Sequence, residues 1–352
     1  MRVALSNAAW VWGGAERMTL AVGEGLRVRG HKVTLFCRAG SPLHQRAERS
    51  LPCVPILGGM DLSPRTVARS AAALRRFRAE VVVTFAVKDP RWLVPAARWV
   101  GVPVVVRHPM DRPLPRTPYH RALYAGVERW VANSEATRAT LQRTAGVPRE
   151  RIVLIRNGFD VERWAAAPPA DLGLPPGARA VGFVGRLERR KGLFELALAW
   201  PRVAARIPDA YLVIAGVGPD EEAFRAALAA APRVRWLGFV ADPAPVLRAL
   251  AVLAMPSHFE GFGLAAAEAL AVGVPVVATA TSSLPEVVAH ERTGLLVPPH
   301  DPDALAAALI RLLEDEPLRI RLGAAGAAEA RARFALDRML DEFEALLLEV
   351  AR

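Results

Sequence analysis

Residues Met255–Ala278, MPSHFEGFGLAAAEALAVGVPVVA, decide how the chain is read, because apolar pattern and isolated charge disagree there. An apolar strand, Val252–Met255, runs into a glycine-broken loop, Glu260-Gly261-Phe262-Gly263, which opens a helix from Leu264 to Val272. Backbone N–H groups and a helix N-terminus converge in such a loop and favour oxygen-rich ligands. Glu268 is the only polar side chain in that helix, on the same face as Leu264, and a lone carboxylate there needs a partner. The plainer readings are an acid near its helix N-terminus for Glu260 and a solvated face for Glu268. The pair, followed by the apolar strand Val276–Ala278, is a stronger signal than either residue alone.

Upstream of this stretch, strand Ala180–Val184 leads to Gly185-Arg186 and then to Lys191-Gly192. The chain carries 46 lysines and arginines, of which Lys32, Lys88 and Lys191 are the lysines. Where arginine supplies the ordinary charge, a lysine in a strand-to-helix loop suggests that a compact point charge is needed; a charged cap is the alternative. Strand Tyr211–Ile214, the turn Gly216-Val217-Gly218-Pro219, a helix from Asp220 to Ala230 and strand Val234–Trp236 follow. Repeating β-loop-α units build a parallel sheet. Downstream come Ser282–Glu286, strand Leu295–Val297 and helices to the end. Asp301-Pro302-Asp303 mimics a metal-binding D-x-D pair but reads as an aspartate cap with proline at the first helical position. The seven histidines show no metal-ligand spacing, so no metal and no cofactor is expected.

The first half opens with strand Val3–Leu5, Gly13-Gly14, a helix from Ala15 to Arg29 and strand Val33–Phe36, a βαβ unit. The glycine pair lets backbone approach a ligand or simply makes a tight turn; it is not the G-x-G-x-x-G fingerprint. Strand Val81–Thr84 leads to Lys88, and strand Val104–Arg107 ends at Arg107-His108, so both place charge at a carboxyl edge, where open α/β sheets bind ligands. A histidine there is either a structural hydrogen bonder or a functional group. The proline-rich, basic segment Asp111–His120 reads as a mobile loop that is neither helix nor central strand. Strand Trp130–Ala132, Asn133-Ser134, a helix to Thr144, strand Ile152–Ile155 and Asn157-Gly158-Phe159-Asp160 complete this half. Proline, alanine and glycine dominate from Val161 to Ala178, which reads as a linker. The expected division is therefore 1–160, a linker over 161–178, 179–335, and a last helix over 336–352.

The E-x7-E pair Glu260/Glu268 resembles the signature of the retaining glycosyltransferases of family four. The GG-A-E-R run at Gly13–Arg17 and the N-G-hydrophobic-D turn at Asn157–Asp160 are similar to that family's as well. The resemblance implies two Rossmann-like α/β domains with parallel sheets facing across a cleft, the GT-B fold, and a last helix that crosses back to the first domain. It implies transfer of a sugar from a nucleoside-diphosphate-sugar donor, with retention and without a protein nucleophile. Glu260 is then expected to face the donor sugar, with Gly261, Phe262, Gly263 and Leu264 around it, and Glu268 to hold the ribose. Arg186 and Lys191, with Gly185 and Gly216, would bind the diphosphate, opposite Gly13 and Gly14, and His108 would lie near the reacting centre. Lys88, Arg107 and Asn133 are weaker, acceptor-side candidates. A sugar phosphorylase or sugar-phosphate synthase on the same scaffold, and a non-catalytic nucleotide-sugar or polyanion binder, are the rival readings.

Length and composition agree with a two-domain globular protein: 352 residues, 52% hydrophobic and 23% charged. No uninterrupted apolar run approaches the roughly 18 residues of a membrane span. The opening MRVALSNAAW reads as a first strand rather than an export signal, so a soluble, cytoplasmic protein is expected. Cys37, in an apolar strand, and Cys53, in a proline-bounded turn, read as buried free thiols. The net charge of +11 predicts anionic partners. Its arginines, as in Arg65, Arg69, Arg75, Arg76 and Arg78, lie along amphipathic helices without a nucleic-acid motif. Nucleic acid is thus an unlikely partner, and the basic faces are either solvated or make peripheral contact with an anionic inner membrane face.

Overall fold

The computed structural model describes residues 1–57 and 63–351, which form two compact units. The first takes in Met1–Phe159 and Leu336–Arg352, the second Asp160–Ala335. In the first, strands β1 (Arg2–Asn7), β2 (Lys32–Arg38), β3 (Cys53–Leu57), β4 (Val81–Thr84), β5 (Val104–His108), β6 (Arg129–Ala132) and β7 (Ile152–Leu154) form a parallel seven-stranded sheet. Its order is β3-β2-β1-β4-β5-β6-β7. In the second, β8 (Arg179–Val184), β9 (Ala210–Ala215), β10 (Val234–Gly238), β11 (Val252–Met255), β12 (Val276–Thr279) and β13 (Gly294–Val297) form a parallel sheet ordered β10-β9-β8-β11-β12-β13.

Both orders reverse direction once, at β1/β4 and at β8/β11. Chain leaving the carboxyl ends of the two strands at such a point turns to opposite faces of the sheet, which opens a crevice there. The strands are apolar runs rather than alternating ones because helices cover both faces. Val81, Val82 and Val83, and likewise Val252, Leu253 and Ala254, are essentially inaccessible.

Each unit has its own core. In the second, Trp200 lies at the centre, fully buried among Leu196, Val203, Leu212 and Leu309, and its Nε1–H donates to the Pro232 carbonyl at 2.8 Å. In the first, the C-terminal helix Leu336–Val350 packs on the opening helix Gly14–Val28. A Cβ on Gly25 would meet Leu340 at 2.4 Å, so that close approach requires glycine. Phe343 stacks on Phe85 at 6.2 Å, and Glu344 pairs with Arg29 and His31 at 2.9 and 2.7 Å.

Several local expectations are corrected. The segment Asp111–His120 is not wholly irregular: the helix Pro118–Ala125 begins inside it, capped by Thr117, whose Oγ1 accepts the His120 N–H. Proline at a first helical position loses no bond, since that N–H has no intrahelical partner. Cys53 opens β3 instead of sitting in a turn; among the described residues both cysteines are free thiols, Cys37 buried and Cys53 partly so. The helix after Ser134 ends at Thr140 and continues as a wider π turn, Leu141–Ala145. Within 161–178 a short helix, Val161–Ala165, buries Trp164.

Replacing Trp200 by Phe should cost about 1–3 kcal/mol, chiefly the lost bond to Pro232, and replacing it by Ala about 3–5 kcal/mol. Denaturant unfolding measures both; equal losses would place the stabilisation in the hydrogen bond rather than in ring packing.

Candidate active site

In the second unit, four loops at the carboxyl ends of β8, β9, β11 and β12 interlock. Gly192 follows Lys191 with φ +72°, and a Cβ there would meet the Pro256 carbonyl oxygen at 1.9 Å. Glycine therefore lets the turn Arg189–Lys191 lie against the loop after β11. The contact is locked by the His258 N–H donating to the Arg190 carbonyl at 2.8 Å. Gly216 serves the same purpose on the neighbouring strand: its φ is +149°, and a Cβ would meet Gly185 O at 1.8 Å.

This packing brings Lys191 and Glu260 together across 69 positions of sequence. Lys191 Nζ lies 2.5 Å from Glu260 Oε1, and Ser257 Oγ–H donates to the same oxygen at 2.8 Å. Arg190 Nη1 stands 4.0 Å from Oε2. The Glu260 main-chain carbonyl accepts from Ser282 Oγ at 2.6 Å and from Ser283 Oγ at 3.2 Å. Glu260 is 6% exposed, so its charge sits in a built cation and hydroxyl cradle, not at an open helix terminus. Arg186 is more open, and its Nε pairs with Glu188 Oε1 at 2.9 Å. Gly261 and Gly263 are buried, Leu264 partly so, and Phe262 packs edge-on against Phe334 at 5.4 Å. Glu268 is 3% exposed, which excludes the solvated-face reading. Asp301 accepts the Ala304 N–H at 2.8 Å, as a helix cap does.

The first unit gathers a separate polar group at the carboxyl ends of β1 and β5. Gly13 is the N-cap of the helix Gly14–Val28, in extended conformation. Buried polar side chains stand behind it: Asn7 Nδ2–H donates to Glu16 Oε1 at 3.3 Å and to Thr19 Oγ1 at 2.8 Å. Burial raises the Glu16 carboxyl above its ordinary range despite those bonds and the field of Arg107. Arg107 is buried, its guanidinium over the Phe85 ring and bonded to Asn157 Oδ1. Burial lowers it to about 10, against the opposing charge of Glu16, so it stays a cation at neutral pH. His108 is 2% exposed, and its Nε2 lies 3.3 Å from the Arg112 carbonyl, to which it donates. Burial first, and Arg107 beside it, lower His108 to about 4, so it is a neutral imidazole. Asn133 Nδ2–H donates to the Pro109 carbonyl at 3.0 Å, and Lys88 is exposed. A small crevice is lined by Arg107, His108, His120, Tyr124 and Trp130.

Sequence reasoning missed Ser257, Arg190, Ser282, Ser283 and Glu188. Ser257 and Arg190 adjoin motif residues, but serines and arginines are too common for position alone to single them out.

Residues 12–163 match the family model described as Glycosyltransferase Family 4, and residues 178–315 the model described as Glycosyl transferases group 1. A phosphatidyl-myo-inositol mannosyltransferase of Mycolicibacterium smegmatis is 38% identical over 207 residues, 57% of this chain and 51% of that protein. A D-inositol 3-phosphate glycosyltransferase of Xylanimonas cellulosilytica is 34% identical over 284 residues, 74% of this chain and 66% of that protein. The chain spans about half the length of several curated relatives, 51%, 52% and 48% of three of them. Among solved structures, Anabaena HepE in complex with UDP-glucose superposes with a TM-score of 0.87 at 22% identity, covering 99% of this chain and 100% of that one. The two parallel-sheet units thus have the GT-B fold.

A depressed histidine makes folding oppose protonation. Between the unfolded value of about 6.5 and the folded value of about 4, the unfolded chain binds the extra proton, so stability is full above about pH 6.5 and is lost as pH falls towards 4. Urea unfolding should show about 3 kcal/mol of this dependence, by the linkage of about 1.4 kcal/mol per pH unit. His108→Gln should flatten the dependence; an unchanged slope would place the proton elsewhere.

Proposed function

We propose, for a chain that belongs to the family-four glycosyltransferases, that it moves a sugar from a nucleoside-diphosphate-sugar to an acceptor with retention at the anomeric carbon. The observation that carries this reading is the cluster Lys191–Glu260–Ser257, with Glu260 and Ser257 buried and Lys191 partly so, at the strand-order reversal of the second unit. A lysine ammonium has three N–H donors. Glu260 takes one of Lys191's, and the others suit a diphosphate oxygen. Arg186 would exchange its partially exposed pairing with Glu188 for the second phosphate. Charge-assisted bonds from these two cations, with the Phe262 and Gly263 N–H groups, compensate the leaving diphosphate without a metal upon it.

The same geometry argues against a protein nucleophile. Glu260 Oε1 already accepts from Lys191 and Ser257, and a carboxylate so engaged is a poor attacking group. In the proposed step the bond between the anomeric carbon and the phosphate oxygen breaks, and its electron pair leaves with the diphosphate. The acceptor hydroxyl forms the new bond on the same face and passes its proton to the departing phosphate oxygen. Glu260 stabilises the positive charge that develops on the sugar ring, while Glu268 holds the ribose. In the first unit, neutral His108 would serve as a hydrogen-bonding group rather than a charge, and Lys88, Arg107 and Asn133 are assigned to the acceptor side. By their names, the relatives act on phosphatidyl-inositol or inositol phosphate, and an anionic acceptor suits the exposed Arg65, Arg69, Arg75 and Arg76 of the first unit.

Interactions that strengthen as charge develops act on kcat, and those equal in ground and transition states act on KM. Glu260→Gln should therefore lower kcat, and Glu268→Gln should chiefly raise the donor KM, each by roughly tenfold to a hundredfold for a contact of about 1.5–3 kcal/mol. Steady-state kinetics with nucleoside-diphosphate-sugars, repeated after chelation with and without Mg²⁺, is the check. Identical profiles for the two variants would refute the division of roles, and a Mg²⁺ requirement would refute diphosphate compensation by Arg186 and Lys191.

A further inference from the structure

Three side chains distant in sequence meet on the second unit, beside the Lys191 cluster. Glu195 lies in the first turn of helix Leu193–Arg206, His258 in the loop after β11, and His300 in the turn after β13. His258 Nε2 lies 2.7 Å and His300 Nδ1 3.3 Å from the same atom, Glu195 Oε1. The two imidazole rings are 4.2 Å apart, centroid to centroid. One ligand atom from each residue falls within 4.8 Å of the others. Glu195 and His258 are largely shielded, whereas the His300 side chain is 64% exposed. His300 also adopts φ +58°, a left-handed conformation uncommon outside glycine.

We infer that Glu195, His258 and His300 form a site for a divalent transition-metal cation of the Zn²⁺ class. Two imidazole nitrogens and one carboxylate oxygen are a donor set that borderline cations accept, whereas Mg²⁺ and Ca²⁺ prefer oxygen alone. Tetrahedral bonds of about 2.0–2.1 Å put ligand atoms roughly 3.3 Å apart. The His300–Glu195 separation of 3.3 Å already meets that spacing. The 2.7 Å contact of His258 is a hydrogen bond that would open by roughly half an ångström on exchange of its proton for a cation. Three protein ligands leave the fourth position to water.

The position of the site gives the cation a positioning role. Glu195 stands four residues after Lys191, and His258 two before Glu260. The His258 N–H already donates to the Arg190 carbonyl. A bound cation would tie the start of helix Leu193–Arg206 to the loop that carries Glu260, and would add the β13 turn to the same clamp. This inference stands apart from the sugar-transfer reading, since its ligands and its readout are independent of any donor.

Tag-free protein, stripped with chelator, is titrated with ZnCl₂ by calorimetry and followed by thermal unfolding, with Co²⁺ as the spectroscopic probe. One Zn²⁺ per chain is expected, with a rise in the unfolding midpoint of about 5–10 °C at a hundred times the dissociation constant. Co²⁺ should show the intense visible absorption of a four- or five-coordinate ion. His300→Gln, at an exposed position that leaves the fold intact, and His258→Gln should each weaken Zn²⁺ binding by more than about tenfold, since even outer-shell changes cost that much. His44→Gln in the first unit should bind as the parent does. Absent Zn²⁺ binding, or His300→Gln binding as tightly as the parent, would overturn the inference and leave a hydrogen-bonded His–Glu–His trio only.

Discussion

A lysine ammonium 2.5 Å from a carboxylate, both mostly withdrawn from water, is the contact on which the second unit's loops depend. Taking two charges out of water costs several kcal/mol per ion, and their attraction repays this only when further hydrogen bonds complete the pair. Here Ser257 completes it on the side chain, while Ser282 and Ser283 fix the Glu260 backbone. A pair of this kind is weak evidence of stabilisation, because apolar residues of similar volume often do as well. Its place at a strand-order reversal is therefore better explained by what the ammonium's remaining donors can hold.

The constraint reaches back into the sheet. Parallel strands buried on both faces leave polar groups one place to gather, the loops at the carboxyl edge. Gly192 and Gly216 allow those loops to touch backbone to backbone, since any Cβ would collide with the facing carbonyl. In the first unit the same edge receives Asn7, Glu16, Arg107 and His108, and burial there sets their charge states: a raised carboxyl, a guanidinium that stays charged, and a neutral imidazole.

What was legible in the sequence was whatever repeats with a short period. Apolar strands followed by glycine and a helix mark the parallel sheets; Glu268 stands out as a lone acid walled by alanine and leucine, and Glu260 as an acid in a glycine-broken loop between an apolar strand and an apolar helix. Lys191 stood out because arginine supplies nearly all other basic charge. Contacts made only by folding were not legible. Ser257 acquires its meaning from Lys191, Glu188 from Arg186, and the trio Glu195, His258 and His300 spans 105 positions with no local spacing to betray it. Local errors had local causes. The prolines of Asp111–His120 argue against helix although Pro118 sits where a helix accepts it, and Pro52 and Pro55 around Cys53 obscure an edge strand.

The central claim is that Lys191 holds a diphosphate while it holds Glu260. Calorimetric titration of the nucleoside diphosphates UDP and GDP into the parent chain and into Lys191→Ala, with circular dichroism showing both folded, tests it most directly. The account predicts that the parent binds at least one of them and that the variant loses about 1.5–3 kcal/mol of that affinity, roughly tenfold to more than a hundredfold. Equal affinity in the two proteins would contradict it.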